Sequence, residues 1–250
     1  MRVFEVSKPL IFRDYLKVLE TINEEPTLEL TEDGLTVLTM DPGHVEMIRL
    51  ELPRQYFDIW SVPEPVKMCL NIKELNKVLK RMNKQDSQMQ LDYDHENARA
   101  TFTLISDIRR SKSVPTLELL EEEIPSPRIY FKSKTRMILS TFKRILEDFK
   151  ENADHFKLET TWNQIKFSTD SDYSHESTPI DKENDNILDH HVEEESTAHY
   201  EIEQLLDFVK SACKVSEVVN IEFSDSMPLK LDVELPQGSM VYYLAPMIGV

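Results

Sequence analysis

Slid against itself by about 130 residues, the sequence matches in four separate blocks without a gap, and this duplication restricts the chain to two copies of one architecture in tandem. Residues 27–41, TLELTEDGLTVLTMD, lie over residues 157–171, KLETTWNQIKFSTDS, with Leu28 on Leu158, Leu35 on Ile165, Val37 on Phe167 and Thr39 on Thr169. Both copies read as strand, turn, strand. Before each hairpin, Phe12, Tyr15, Leu16 and Leu19 fall on Phe142, Ile145, Leu146 and Phe149 at the spacing of an amphipathic helix. A second helix pair follows, with Ile72, Leu75, Val78, Leu79 and Met82 on Ile202, Leu205, Phe208, Val209 and Ala212. QMQLDYDHENARATFTL and VVNIEFSDSMPLKLDVEL then each give two short alternating strands. Each half therefore reads as an α+β domain, with helices on one face of sheets.

Between the halves, SVPTLELLEEEIPSPR (113–128) combines three prolines with an acidic run, as an exposed linker does. The expected division is an N-terminal domain over 1–115, a linker over 116–128 and a C-terminal domain over 129–250. Helices are expected over 9–23, 71–84, 134–151 and 200–214. Asn71 and Glu74 have the spacing of a capping box, in which each side chain satisfies a backbone donor of the other. The polar stretch 171–200 is expected to hold strands joined by a long exposed loop.

Several functions are set aside by composition. With only four glycines the chain has no G-x-G-x-x-G, no phosphate-cradling loop and no glycine-flanked nucleophile, so nucleotide chemistry is not expected and no cofactor is implied. Cys69 and Cys213 are too few for a disulfide framework, and their apolar neighbours suit buried thiols. No apolar run approaches the ~20 residues that span a bilayer, and the start lacks a secretory signal, so an intracellular protein without membrane contact is expected.

A net charge of −17 argues at first against nucleic acid as a partner. Its distribution reverses that. The four expected helices hold 14 lysines and arginines against 9 aspartates and glutamates, leaving 15 against 37 elsewhere. On the second helix Lys73, Lys77, Lys80, Arg81 and Lys84 lie opposite the apolar stripe. The other helices add Arg13 and Lys17, then Arg136, Lys143 and Lys150, then Lys210 and Lys214. Any one helix of this kind is an ordinary solvated face; basic positions repeated in both halves of an acidic protein suggest one phosphate-facing surface. Lys17, Lys73 and Lys77 are answered in the second half by Glu147, Glu203 and Asp207, so the first half is expected to contact DNA more strongly. No base-reading motif accompanies these cations, which suits sequence-independent contact with the duplex backbone.

DGLTVLTMDPGHVEMIRLELP (33–53), the region around LNIKELNKVLKRM, SMPLKLDVEL and the terminal YYLAPMI together resemble the archaeal and eukaryotic sliding clamps of the proliferating cell nuclear antigen family, from end to end. The resemblance implies a duplicated clamp fold. Three subunits would form a ring, strands outside and four helices per chain lining the hole, put on DNA by an ATP-driven clamp loader. Such a clamp catalyses nothing and tethers DNA polymerase, flap nuclease and ligase through short peptides. By the family's pattern the peptide pocket maps to Met40, His44, Val45, Leu119, Ile124, Pro125, Pro228, Tyr243, Ala245 and Pro246. The subunit joint maps to Ile108, Arg109, Arg110 and Ser111 on one edge, and Tyr173, His175 and Ser177 on another. Two departures stand out: Met247 replaces the family's usual basic residue after LAP, and Glu121, Glu122 and Glu123 make the linker unusually acidic. Thr160 and Thr161 stand near the position where eukaryotic clamps carry a ubiquitin-accepting lysine, which favours an archaeal origin and a cytoplasmic location on the nucleoid, or a nuclear one if eukaryotic.

Two rival readings come from other classes. A metal-dependent nuclease would use Asp92 and Asp94, Asp170 and Asp172, or the run Asp189, His190, His191 and Glu193. An acidic DNA-mimic protein would need no basic face. The resemblance implies no metal.

Overall fold

A computed structural model describes residues 1–79, 88–119, 124, 127–170 and 175–249. The chain divides into two compact units: 1–42, 48–124 and 236–239 in the first, and 43–47, 125–235 and 240–250 in the second. In the first half of the chain the elements are β1 (Arg2–Val6), α1 (Pro9–Glu20), β2 (Thr27–Thr31), β3 (Gly34–Met40), β4 (Glu46–Pro53), β5 (Ile59–Trp60), β6 (Val66–Cys69), α2 (Ile72–Leu79), β7 (Gln88–Asp94), β8 (Arg99–Ile105) and β9 (Arg110–Pro115). The second half continues with β10 (Ser133–Ile138), α3 (Leu139–Lys150), β11 (His155–Thr160), β12 (Gln164–Asp170), β13 (His175–Asp181), β14 (Ile187–Val192), β15 (Ser196–Glu201), α4 (Ile202–Ala212), β16 (Val218–Phe223), β17 (Leu229–Val233) and β18 (Ser239–Leu244).

In the first unit, β5-β1-β7-β8-β9 form one antiparallel sheet and β4-β3-β2-β6 are ordered in another. Pro9 suits the first turn of α1, where its missing N–H costs no hydrogen bond. Phe12, Tyr15, Leu16 and Leu19 then bury one stripe of the helix. The helix stops at Thr21, whose hydroxyl donates to Val18 O at 2.7 Å. Phe4, Phe12, Phe57 and Trp60 meet in a cluster, with Phe57 and Trp60 centroids 4.5 Å apart. Between β2 and β3 the turn ends on Gly34 at φ +146°, where the backbone passes so close to β4 that a Cβ would stand 2.2 Å from Leu52 O.

The second unit repeats the plan, with β14-β10-β16-β17-β18 in one sheet and β13-β12-β11-β15 in another. Helix α3 starts at residue 139 where α1 starts at 9, and both run 12 residues. Phe142, Phe156, Phe167 and Tyr200 fill the space between helices and sheet. Phe208 stacks on Tyr242 at 4.1 Å, and the buried Tyr242 hydroxyl donates to Glu46 at 2.7 Å.

Several expectations need correction. Residues 133–138 form strand β10, so the third helix begins at Leu139 rather than 134, and Arg136 does not stand on it. Ser133, Thr135 and Met137 are buried in alternation with Lys134, Arg136 and Ile138, the signature of a strand rather than a helix. The first helix ends at Glu20, short of residue 23. Tyr200 and Glu201 finish β15, and α4 runs from 202 to 212. Stretch 175–201 holds the expected strands, three of them, β13 to β15, but short turns join them in place of the long loop. Half of the capping box forms: the Glu74 N–H donates to Asn71 Oδ1 at 2.8 Å, while the Glu74 carboxylate turns to Lys77. Cys69 is buried, with its thiol on Glu25 O, but Cys213 is only half-buried.

Candidate functional site

The helix cations are held largely by neighbouring carboxylates. Arg13 and Lys17 share Asp14 Oδ1, at 2.9 and 3.2 Å. Lys73 meets Glu24 at 2.6 Å and Lys77 pairs with Glu74; these hydrogen bonds raise the Lys73 pKa and lower that of Glu74. In the second unit Lys143 stands 3.8 Å from Glu147, and Lys150 reaches Glu203 at 3.1 Å and Asp154 at 3.3 Å. Arg136, on β10, makes a two-pronged contact with Glu234 at 2.5 and 2.8 Å. That contact leaves it a sheet cation. Lys210 and Lys214 are exposed and have no ion pair among the described residues. So is Arg144, which the sequence reading passed over although its position on the outer arc of α3 follows from 100° steps. Lys80, Arg81 and Lys84 lie outside the described residues.

Two sheet edges carry opposite charge. In the first unit β9 is an edge strand, preceded by Ile108, which is 70% exposed, and Arg109. Arg109 donates to Gln90 Oε1 at 2.8 Å, and Gln90 in turn donates to the buried Glu5 at 2.7 Å. The Thr116 N–H reaches Ala98 O, which fixes the phase of β9: the backbone N–H groups of Ser111 and Ser113 point away from β8, as does the donorless Pro115. In the second unit β13 is an edge, and Lys182 N–H to Asn163 O sets its phase likewise. His175, Ser177 and Asp181 direct their N–H groups away from β12, with Pro179 among them. Arg109, Arg110 and Lys112 mark the first edge, and Glu176 and Asp181 the second; His175 is paired with Asp170 at 2.6 Å. Tyr173 lies outside the described residues. The opposite edge of the same sheet, β15, is sealed. Its Thr197 and His199 carbonyls accept from the Ser226 and Met247 N–H groups, and the Thr197 N–H donates to Asp225.

The residues implied for a peptide pocket fall in both units. In the first are Met40, Leu119 (43% exposed) and Ile124. In the second, the Ala245 N–H donates to Val45 O at 2.8 Å, and the pairing of Leu229 with Leu244 sets Pro228 opposite Ala245. Val45, Ala245 and Pro228 thus form an apolar strip, flanked by half-buried Tyr243 and Pro246. His44 enters it in the left-handed region, at φ +56°. Pro125 lies outside the described residues.

The carboxylates of the nuclease reading do not converge. Strand alternation puts His190 on the face opposite Asp189 and His191, where its Nε2 donates to Thr161 O at 2.8 Å and its Nδ1 meets Thr135 Oγ1 at 2.9 Å. Asp94 accepts from Asn97 and the Glu96 N–H within a turn, and Asp172 is outside the described residues. Among the described residues no three His, Cys, Asp or Glu side chains are grouped to hold a metal. No described helix is long and apolar enough to cross a membrane.

His199, on β15, has its pKa lowered by burial first and by Lys157 and His155 next. A histidine with a lowered folded pKa contributes stability that is complete above its unfolded value of about 6.5 and is lost as pH falls through that value. Thermal melts on acidification below about pH 6.5 are expected to fall more steeply for the wild type than for His199→Gln. Equal slopes would remove His199 as the cause.

Family models match the chain over both halves: the proliferating cell nuclear antigen N-terminal domain over residues 4–126 and the C-terminal domain over 125–248. The chain belongs to the proliferating cell nuclear antigen family. Its relatives in that family include DNA polymerase sliding clamp 1 of Pyrobaculum aerophilum, 26% identical over 240 residues that cover 94% of this chain and 95% of the relative. The DNA polymerase sliding clamp of Pyrococcus furiosus is 28% identical, covering 98% and 97%. Among solved structures, PCNA from Thermococcus kodakaraensis superposes with a TM-score of 0.92 at 22% identity over 99% and 100% of the two chains, a likeness of fold. A chain of the PCNA2–PCNA3 complex from Sulfolobus tokodaii gives 0.88 at 27% identity over 98% and 99%.

Proposed function

We propose that this chain is a subunit of a DNA sliding clamp, a processivity factor that encircles duplex DNA and holds replication and repair enzymes to it without catalysing a reaction. The observation that carries the reading is the pair of edges, β9 basic and β13 acidic, each with outward backbone donors. Strand addition between copies would complete both sheets and remove the exposed edges. Because the two edges differ, the contact would be heterologous, which builds a ring or an open filament according to the rotation between copies; the family's pattern is a ring of three subunits. The expected domains 1–115 and 129–250 would each supply one edge, with 116–128 as the linker between them.

Polymerase, flap nuclease, ligase and clamp loader would dock through short peptides on the strip around Val45, Pro228 and Ala245 of the second unit. Met247 and the acidic linker would shift preference toward peptides with basic flanks. The protein would work in the cytoplasm on the nucleoid of an archaeal cell.

Native mass spectrometry of the purified chain, together with retention on circular DNA, tests this reading. A stable trimer that stays on a closed circle and slides off once the circle is cut is the expected result. A monomer at all concentrations, with no DNA retention, would sink it for this chain alone.

A further inference from the structure

Strand β14 is a further sheet edge of the second unit, distinct from β13 and from the sealed β15, and it pairs with β10 on one side only. The Glu193 N–H donates to Lys132 O at 2.8 Å, and that bond sets the phase of the strand. The N–H groups of Asp189 and His191 therefore face β10. Those of His190 and Val192 point outward with their carbonyls and meet no partner among the described residues. Ile187 lies opposite Met137 and Asp189 opposite Arg136, so Leu188 is the extra residue of a bulge.

Bulges and charges guard an edge against stray strands, but exposed apolar side chains do the reverse. Among the described residues between 127 and 235, four large apolar side chains are exposed, and three of them border β14. Leu188 belongs to the strand itself. Trp162, 59% exposed, follows Thr161, whose carbonyl accepts from His190 Nε2 at 2.8 Å, so the turn between β11 and β12 brings it to this edge. Tyr130 stands at the far end, with its hydroxyl on Glu193 and Lys132 Nζ 4.9 Å from its ring centroid. Open main-chain donors beside exposed aromatic rings are the features that an added strand uses and covers.

Charge selects the kind of strand. Residues 181–195 hold seven aspartates and glutamates against one lysine. The neighbouring cations are already held, Lys132 by Glu193, Lys134 by Glu222 and Arg136 by Glu234. Asp189, Glu194 and Glu195 are exposed and have no ion pair among the described residues.

We infer that β14 is a docking edge for an extended basic segment of a partner protein. The segment adds to the sheet as a strand, bonds the backbone of His190 and Val192, covers Trp162 and Leu188, and sets lysines or arginines against Asp189, Glu194 and Glu195. This rests on the clamp reading in one respect: there β9, the other basic strand at hand, is taken by β13, which leaves β14 open in the assembled protein.

The test uses the full chain and a fluorescent peptide of about nine residues that alternates lysine with valine, followed by anisotropy, with native mass recorded. Wild type is expected to bind this peptide, less tightly as salt rises, and to bind a peptide with the same lysines and valines in two blocks at least about tenfold more weakly. Val192→Pro keeps every charge and loses an outward donor, Trp162→Ala keeps the edge and loses the aromatic ring, and D189N/E194Q/E195Q loses only charge. Each is expected to weaken binding by about five- to tenfold at the wild-type native mass. Wild-type affinity in Trp162→Ala, or in Val192→Pro with an unchanged circular dichroism spectrum, would reduce the binding to charge attraction and overturn the inference. A changed native mass in folded Val192→Pro would give the edge to another copy of this chain and overturn it as well. No binding by wild type overturns it too and leaves the clamp reading standing, because that reading is decided by native mass and retention on circular DNA.

Discussion

Proline at Ser111 is expected to leave a folded chain that no longer assembles. The Ser111 N–H points away from β8, so the ladder inside its own sheet survives and only the side-chain bond to Thr103, at 2.9 Å, is lost. That bond is worth about 1 kcal/mol. On the open side the substitution removes an outward donor and sets a ring in the path of an incoming strand, at a cost of about 3 kcal/mol for each joint. Each joint would weaken roughly a hundredfold. Sedimentation should show the mass of a single chain, with circular dichroism unchanged. Lys112→Pro supplies the contrast, because its N–H faces β8 and its replacement should unfold the edge itself. Wild-type mass for Ser111→Pro would remove β9 from the joint.

The second large effect concerns folding. Gly34→Ala puts a Cβ 2.2 Å from Leu52 O and 2.9 Å from Arg54 N, and both are backbone atoms that no rotamer change can clear. The residue also sits at φ +146°, where a side chain is strained whatever the room. A loss of at least about 3 kcal/mol is expected, lowering the melting temperature by about 10 °C. A melt within a degree or two of wild type would show that β4 shifts to admit the methyl group.

Periodicity carried far in this chain because duplication let each half check the other. Phe12 on Phe142 and Leu19 on Phe149 located both helices of that pair, and α1 and α3 begin the stated offset apart. Strand β10 was missed because Ile138 runs straight into Leu139 with no glycine or proline between them, so the spacing of Met137 and Ile138 could be absorbed into the helix that follows. Strands were expected within 171–200, but a long loop was placed among them because Ser177, Pro179, Asp189 and His191 give β13 and β14 polar outer faces that read as loop. Charge pairing was legible only where it is local. Glu74 with Lys77, and Lys143 with Glu147, follow from helical spacing, whereas Lys73 with Glu24 and Lys150 with Glu203 depend on packing between helices. The edges behind the proposed joint could not be read locally at all, since whether a strand lacks a neighbour is a property of the whole sheet. For them the family resemblance supplied what composition and spacing did not.

Pro115 and Pro179 each occupy an outward backbone position on the edges in question. They leave β9 with the donors of Ser111 and Ser113, and β13 with those of His175, Ser177 and Asp181. A joint built on so few outward donors, as proposed, would part without unravelling the sheet on either side. Short edges interrupted by proline also make poor templates for stray strands. In the proposed ring, which would have to open to admit a DNA molecule with no free end, the two prolines would reduce the main-chain bonds to be broken at that joint.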